Sequence, residues 1–341
     1  MTKTKICTHS PFQPLKKVLL GQCIDQNFFD WVVNDKVKTP LQKIIDETNE
    51  DLGNIKKTFN DLGIEVYQHT PLEFNPMLFK NSLAIPRPPL QPRDSFLTLG
   101  DKIYCSSTEE VWQYILDMVT EDSVVNLFDS VYSRGIDFQN GQMLNGANCY
   151  RLGKRIIVPT IVDRPTREYC YNFFTNKGYE VVQTNDPGHS DGVMSVIKPG
   201  VMVSYLDKKF YESTFPNWDV LTIRNQGWQK LHGWQTFKGK AKGRWWVPNE
   251  ETNEYLTEFV DTWLNKWVGY VDETVFDVNM LSVSEELVLV NGYNKELFDY
   301  LKKHKVEPII CPFRHRFFWD GGIHCLTVDL VREGELIDYF N

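Results

Sequence analysis

Four times along the chain, a short apolar run, a polar or glycine-containing turn and a second apolar run follow one another. The stretches are "DSFLTLGDKIYCSS" from Asp94, "NCYRLGKRIIVP" from Asn148, "DGVMSVIKPGVMVSY" from Asp191 and "NMLSVSEELVLVNG" from Asn279. A fifth, "CLTVDLVREGELIDYF", begins at Cys325. The turns GDK, GKR, KPG, SEE and REG are of hairpin type, so five β-hairpins are predicted. Between them the spacing lengthens to the helical period. "LGNIKKTFNDLG" puts Leu52, Ile55, Phe59 and Leu62 on one face, with Gly63 as the helix-ending residue. "TREYCYNFFTNKG" ends in the same way at Gly178, and "NKELFDYLKKHK" spaces Leu297, Tyr300, Leu301 and His304 helically. An apolar strand follows each helix: "IEVYQ", "YEVVQ" and "VEPIIC".

The unit is therefore hairpin, helix, strand. Repetition of one supersecondary unit predicts radial packing around an axis, in an α/β fold of one domain over residues 1–341. The copies are too unequal in length for a solenoid. Each hairpin opens on a polar residue: Asp94, Asn148, Asp191, Asn279 or Cys325. In a radial array equivalent positions converge, so these residues are expected to line one central pocket.

Composition narrows the partners. The net charge is −8, a poor match to nucleic acid, whose affinity rests on Lys and Arg meeting phosphate. The basic run "KGKAKGR", Lys238 to Arg244, reads as a solvated loop. No apolar run reaches the roughly 18 residues of a membrane span, and "MTKTKICTHSPFQPLKK" lacks a signal-peptide core. No membrane association and a cytoplasmic location are expected. Seven scattered cysteines without a CxxC fit reduced thiols. A tryptophan-rich stretch, Trp228 to Pro248, suits either a lid over an acceptor site or packed surface aromatics.

Cys325 has three readings: a small buried hydrophobe, a zinc ligand with Cys311, His315 and His324, or a nucleophile. Neighbours on a strand point to opposite faces, which argues against His324 and Cys325 sharing a metal and against His324 as the base for Cys325. His189, in "DPGHSDGVMS", is the alternative base, and in extended backbone it shares a side with Asp191. Gly321 and Gly322 permit close backbone approach. Asp94 follows the stiff "PRPPLQPR". Two carboxylates beside a thiol suit a planar cation, because guanidinium donors match carboxylates in bidentate pairs. The set points to attack on a guanidinium carbon.

"GGIHCLTVDLVREGELIDYF", "PRDSFLTLGDKIY" and "GHSDGVMSVIKPGVMVSYLDK" resemble the guanidino-group-modifying enzymes, the penteins, and among them the glycine amidinotransferases. The resemblance runs from "FQPLKKVLLG" to Phe340. It implies a five-bladed α/β propeller of ββαβ units. It also implies Cys325 as nucleophile, His189 as catalytic histidine, and Asp94 and Asp191 as guanidinium-binding acids. A family arginine that holds the donor's carboxylate falls on Lys208, which keeps the charge and loses the fork. Where the family has an acid-containing segment to orient its histidine, this chain reads "NGAN", Asn145 to Asn148. Asn145 is thus the residue placed to orient His189, with Asp137 as a substitute. Asn148 and Asn279 join the substrate-binding set. A serine pair of the family is replaced by Asp272 and Glu273, which would welcome an amine.

The expected activity is amidino transfer from an arginine-like donor to an acceptor amine through amidino-Cys325. No metal or organic cofactor is required, and a homodimer is unsurprising. The alternatives are a guanidino-compound hydrolase of the arginine deiminase kind and a catalytically weakened binding protein.

Overall fold

A computed structural model describes residues 3–69, 85, 87–106, 113–127, 144–159, 164–184, 189–223, 245, 247–265, 267–268 and 277–340, those at 113, 159 and 164–167 by backbone alone. Asp137, Asp272, Glu273 and residues 224–244 lie outside this set, and with them most of the tryptophan-rich stretch and the basic run. Trp245 is described. It is buried and donates its indole N–H to Asp261 at 3.3 Å.

Among the described residues the strands form five three-stranded sheets. In blade II, β3 (Phe96–Leu99) runs antiparallel to β4 (Lys102–Cys105), and β4 runs parallel to β5 (Val124–Asn126). Blade III repeats this with β6 (Tyr150–Leu152), β7 (Arg155–Pro159) and β8 (Glu180–Thr184). Blade IV uses β9 (Met194–Lys198), β10 (Val201–Ser204) and β11 (Asp219–Thr222). Blade V uses β12 (Leu281–Ser284), β13 (Leu287–Val290) and β14 (Glu307–Ile310). A crossover joins the second strand to the third, as a parallel pair requires. The crossover helices are α1 (Asp35–Asp61) in blade I, α2 (Gln113–Met118) in blade II, α3 (Arg164–Thr175) in blade III and α6 (Lys295–Lys303) in blade V. Blade IV has a 3₁₀ turn, Lys208–Phe210, in that place. The remaining helices are α4 (Ser190–Val193), α5 (Glu254–Trp263) and α7 (Arg316–Trp319). The architecture is the five-bladed α/β propeller that the repeat predicts.

Blade I departs from the predicted pattern. The REG turn does not close a hairpin. Instead β15 (Thr327–Arg332) pairs antiparallel with β1 (Leu15–Leu20), and β1 pairs parallel with β2 (Glu65–Tyr67). The place beside β15 is thus filled by residues 15–20, and "ELIDYF" turns to blade III instead, where Asp338 makes an isolated antiparallel bridge to Gly153 and Lys154 N donates to Ile337 O at 3.0 Å. Its end packs by its rings: Tyr339 lies edge-on to Phe12 at 4.9 Å, and Phe340 stacks on Trp218 at 5.3 Å.

Each apolar core is shared by two neighbouring blades. Leu97 and Leu99 join blade II to Cys149, Ile156 and Val158 of blade III, while Phe96 faces Leu19, Val328 and Leu330 of blade I. Tyr150 and Leu152 meet Met194 and Val196, Ile197 meets Met280 and Val288, and Leu281 and Val283 meet Val18 and Leu20. Each blade is apolar on both faces, as sheets covered on both sides must be, and the ring closes because every blade needs two neighbours.

The axis itself is polar. Asp329 accepts from Arg93 at 3.1 Å, from Arg332 at 2.9 Å and from Arg151. All four side chains are buried. Arg332 continues to Ser282 O at 2.8 Å. The cluster therefore ties blades I, II, III and V. Burial works to raise the pKa of Asp329, but the three guanidiniums overcome it and hold the carboxyl well below the usual range. Arg151 is brought down to about 10 by burial and its two cationic neighbours, which leaves it charged at neutral pH.

Asp329→Ala strands three buried cations, and a loss of about 3–5 kcal/mol in urea unfolding at pH 7 is expected. In the wild type the Asp329 contribution is complete above the unfolded carboxylate's pKa of about 3.9 and disappears as pH falls through the lower folded value. The variant's stability should therefore show a shallower acid limb than the wild type's.

Candidate active site

The five blade-opening residues, Asp94, Asn148, Asp191, Asn279 and Cys325, each lie shortly ahead of the first strand of a blade, which begins at Phe96, Tyr150, Met194, Leu281 and Thr327 respectively. Their order around the axis is maintained by contacts between blades. The Gly146 amide donates to Arg93 O at 3.1 Å, and Asp191 N to Ala147 O at 3.0 Å. Asn279 Nδ2 donates to Asp191 O at 3.1 Å, and its Oδ1 accepts from His324 N at 3.0 Å and Cys325 N at 3.2 Å. Arg93 Nε closes the circuit on His324 O at 2.9 Å.

Cys325 lies in the turn 323–326, ahead of β15. The expectation that His324 and Cys325 alternate across a strand is thereby corrected, since a turn does not impose that alternation. Both reach one oxygen: Asp191 Oδ2 is 2.8 Å from His324 Nδ1 and 3.3 Å from Cys325 Sγ. Asn279 Nδ2 also donates to Sγ at 3.0 Å. The zinc set is not assembled: His315 pairs with Glu47 at 2.6 Å, and Cys311 lies in an apolar core. Among the described residues no three His, Cys, Asp or Glu side chains form a metal group.

The two glycines serve this turn. A Cβ on Gly321 would stand 2.3 Å from Gln91 Nε2, and one on Gly322 would stand 2.8 Å from Asn279 Oδ1. Their close approach is to the clamp around Cys325. Gln91 in turn donates to Trp319 O at 2.7 Å and Asp320 O at 2.8 Å, where Asp320 adopts a left-handed φ of 55°.

His189 and Asp191 do not share one extended segment, as the sequence suggested, because Asp191 lies in the single helical turn Ser190–Val193 and His189 stands at the position just before it. His189 Nδ1 is 3.8 Å from Asp94 Oδ1. Asp94 ends a 3₁₀ turn, Pro92–Asp94, and a quarter of its side chain is exposed. Arg87, from the proline-rich approach, places Nη1 3.6 Å from Asp94 Oδ2. This cation beside the acids was not anticipated; an arginine held between prolines was its only signal.

Asn145 Oδ1 accepts from Ala147 N at 3.1 Å and Asn148 N at 2.9 Å, an Asx-type turn that builds the entry to blade III. Asn145 and Asn148 are both buried. Lys208 is exposed and lines a surface cavity with Tyr211, Glu212 and Phe215; none of the blade-opening residues lines that cavity.

Burial and neighbouring charges set the electrostatics of the cluster. Burial pushes Asp94 up, against the pull of His189 and Arg87. Burial also acts to raise Asp191, but the His324 hydrogen bond and the charges of His324, His189 and Arg93 outweigh it and hold the acid down. Burial, then the charges of Asp191 and Asp94, push the Cys325 thiol well above its ordinary value. Asp94 Oδ1 and Asp191 Oδ1 are buried without a hydrogen-bond donor.

No protein-family model matches the chain. It is 33% identical over 70 residues to an L-arginine:L-lysine amidinotransferase of Pseudomonas savastanoi pv. phaseolicola, across 20% of this chain and 19% of that protein. It is 24% identical over 156 residues to a mitochondrial glycine amidinotransferase of Xenopus laevis, across 46% of this chain and 29% of that one. These matches thus span under a third of either relative. The whole fold is shared with solved structures. One is SxtG, an amidinotransferase from Microseira wollei in a saxitoxin biosynthetic pathway, with a TM-score of 0.67, 17% identity and coverage of 98% of this chain and 99% of that one. Another is the inosamine-phosphate amidinotransferase StrB1 from Streptomyces griseus, with a TM-score of 0.66, 16% identity and 99% of both chains. The chain has the fold of the pentein amidinotransferases. The same fold extends to DDAH from Pseudomonas aeruginosa, with a TM-score of 0.54, 8% identity and 92% and 99% coverage. No helix among the described residues is long and apolar enough to cross a membrane.

Asp94→Asn removes one of the charges that raise the thiol. Alkylation of Cys325 by iodoacetamide, followed by peptide mass mapping, should then reach its half-maximal rate at a lower pH than in the wild type. An unchanged or higher midpoint would contradict this charge assignment.

Proposed function

We propose that the protein is an amidinotransferase. It would move an amidino group from an arginine-like donor to an acceptor amine through a covalent intermediate on Cys325. The observation that carries this reading is the pair of buried, donorless oxygens, Asp94 Oδ1 and Asp191 Oδ1, beside the Cys325 thiol. Buried polar atoms normally have partners. Here the partner they call for is a planar cation with several N–H donors, and a guanidinium supplies them.

The donor's guanidinium neutralises Asp94 and Asp191, and so removes the two charges that raise the thiol. The thiol proton passes to His189. The thiolate attacks the guanidinium carbon and a C–S bond forms. The bond to the leaving nitrogen breaks, its electron pair stays on that nitrogen, and His189 returns the proton there. Arginine would thus leave as ornithine, with a thiouronium on Cys325. An acceptor amine, losing its proton to His189, attacks the same carbon; the C–S bond breaks and the thiolate is regenerated. The kinetics would be ping-pong. Asn279 donates to Sγ and is suited to holding the nucleophile in place. Lys208 stays a candidate for the donor's carboxylate and Asn148 for the pocket wall, while Asn145 is already engaged by backbone amides. Small-molecule donor and acceptor are the only partners the reading needs, without metal or cofactor.

Intact-protein mass spectrometry after brief exposure to arginine tests it. An amidino adduct on Cys325 is expected, discharged to a new guanidino compound when glycine, ornithine or lysine is added. Cys325→Ala should form no adduct, and His189→Asn should slow adduct formation by roughly 10²- to 10⁴-fold. Citrulline or urea appearing without an acceptor would replace transfer by hydrolysis. Saturable arginine binding with no adduct would leave a binding protein.

A further inference from the structure

His324 takes no part in the chemistry above, yet it is firmly held beside Cys325. It is 5% exposed, and its ring lies parallel to that of Tyr150, at 5.7 Å and 12°. Tyr150 is itself anchored through its hydroxyl to Met194 O at 2.8 Å. The His324 backbone is pinned on both sides, its N–H by Asn279 and its carbonyl by Arg93. The ring therefore has one orientation available. In that orientation Nδ1 meets Asp191 Oδ2 at 2.8 Å. An ionised carboxylate only accepts, so Nδ1 carries the hydrogen.

The two oxygens of Asp191 are thereby made different. Oδ2 takes the imidazole N–H and the thiol. Oδ1, on a side chain 1% exposed, has no donor among the described residues. We propose that His324 is a positioning residue, which ties down one oxygen of Asp191 so that the other is turned, charged, toward the incoming guanidinium. This rests on the guanidino-transfer reading and adds to it the device that orients one of the two acids.

The other groups facing His324 fit a neutral donor. The charged groups that act on the ring are Arg93, Asp191 and Asp329. Burial and Arg93 bring the imidazole down to about 4, in spite of both carboxylates. His324 is thus a fixed N–H donor at neutral pH, and the same hydrogen bond opposes the tendency of burial to protonate Asp191. An apolar side chain of similar size would fill the space and lose the donor. Asparagine would keep an N–H near the position of Nδ1.

The test compares binding of arginine with binding of citrulline, its neutral ureido counterpart, by calorimetry in full-length Cys325→Ser protein, where no covalent step intervenes. His324→Leu and His324→Asn are added to that background, and thermal melting checks that each is folded. A charge-assisted hydrogen bond of this kind corresponds to roughly ten- to a hundredfold in affinity. His324→Leu should therefore lose arginine binding by about that factor and change citrulline binding far less, while His324→Asn restores most of the arginine affinity. A merely structural role would lower both ligands together in both variants, and that result overturns the proposal. So does unaltered arginine binding in His324→Leu. Absence of binding of arginine, agmatine and guanidinoacetate to the Cys325→Ser parent is a different failure: it removes the guanidino-transfer reading itself, and this inference with it.

Discussion

Asp329 is the counter-ion of Arg93, Arg151 and Arg332, and no member of the group reaches solvent. Buried charges of this number persist only where geometry and hydrogen bonding compensate their lost hydration. The compensation here comes from different parts of the chain. Arg93 precedes the second blade, Arg151 lies on β6, Arg332 and Asp329 on β15, and Arg332 extends to the carbonyl of Ser282 on β12. A blade displaced along the axis would remove a donor from the carboxylate or leave a guanidinium unpaired. The five apolar interfaces pull the blades together without choosing their axial offset, since packed strands of Val, Leu and Ile resist a slide only weakly. The polar centre makes that choice, and the residues that open each blade inherit it.

The inheritance is direct, because Arg93 belongs to both levels. Its Nη2 pairs with Asp329 below, its Nε holds the carbonyl of His324 above, and its own carbonyl receives the Gly146 amide. From there the circuit passes through Ala147, Asp191 and Asn279 and returns to His324. Asn279 is the most heavily used member. One amide group serves two backbone N–H donors, one carbonyl and the thiol. A carboxylate at this position would accept the backbone donors and repel a thiolate. A serine would be too short to do all four. An asparagine there follows from hydrogen-bond counting before any role in catalysis is considered.

Much of this was legible in the chain. Four hairpins announced themselves because each is closed by a local turn, and turn chemistry is a short-range signal. The blade that joins the ends of the chain was misread for the same reason. The partner of β15 is β1, far away in sequence, and nothing local marks that pairing, whereas REG imitates a hairpin turn. The polar residues that open the blades were found by position in the repeat, which does not depend on knowing their partners. His324 was set aside because a rule for strands was applied to residues that form a turn. Asn145 shows the opposite limit. Its residue type suits an imidazole partner and an Asx turn equally, and the structure places two backbone amides on it. Arg87 and Gln91 were passed over because the prolines around them looked like the feature of that segment.

The candidate site is electrostatically opposed to the nucleophile proposed for it. A cysteine that must attack carbon would ordinarily be placed beside cations, which stabilise the thiolate. Cys325 is instead buried against Asp191, and the charges of Asp191 and Asp94 add to the effect of burial. Two acids at this distance from a thiol are a liability in an enzyme acting on a neutral substrate. They become an advantage when the substrate carries the missing charge, because its arrival both fills the donorless oxygens and removes the reason for the thiol to keep its proton. On the proposed reading reactivity is conditional on the substrate's charge: without it the sulfur is protonated and buried, and poorly disposed toward stray electrophiles. Arg87, loosely set 3.6 Å from Asp94, offers only a partial substitute for that cation, because at this distance it makes a Coulombic contact and leaves the hydrogen-bonding positions of the acid open.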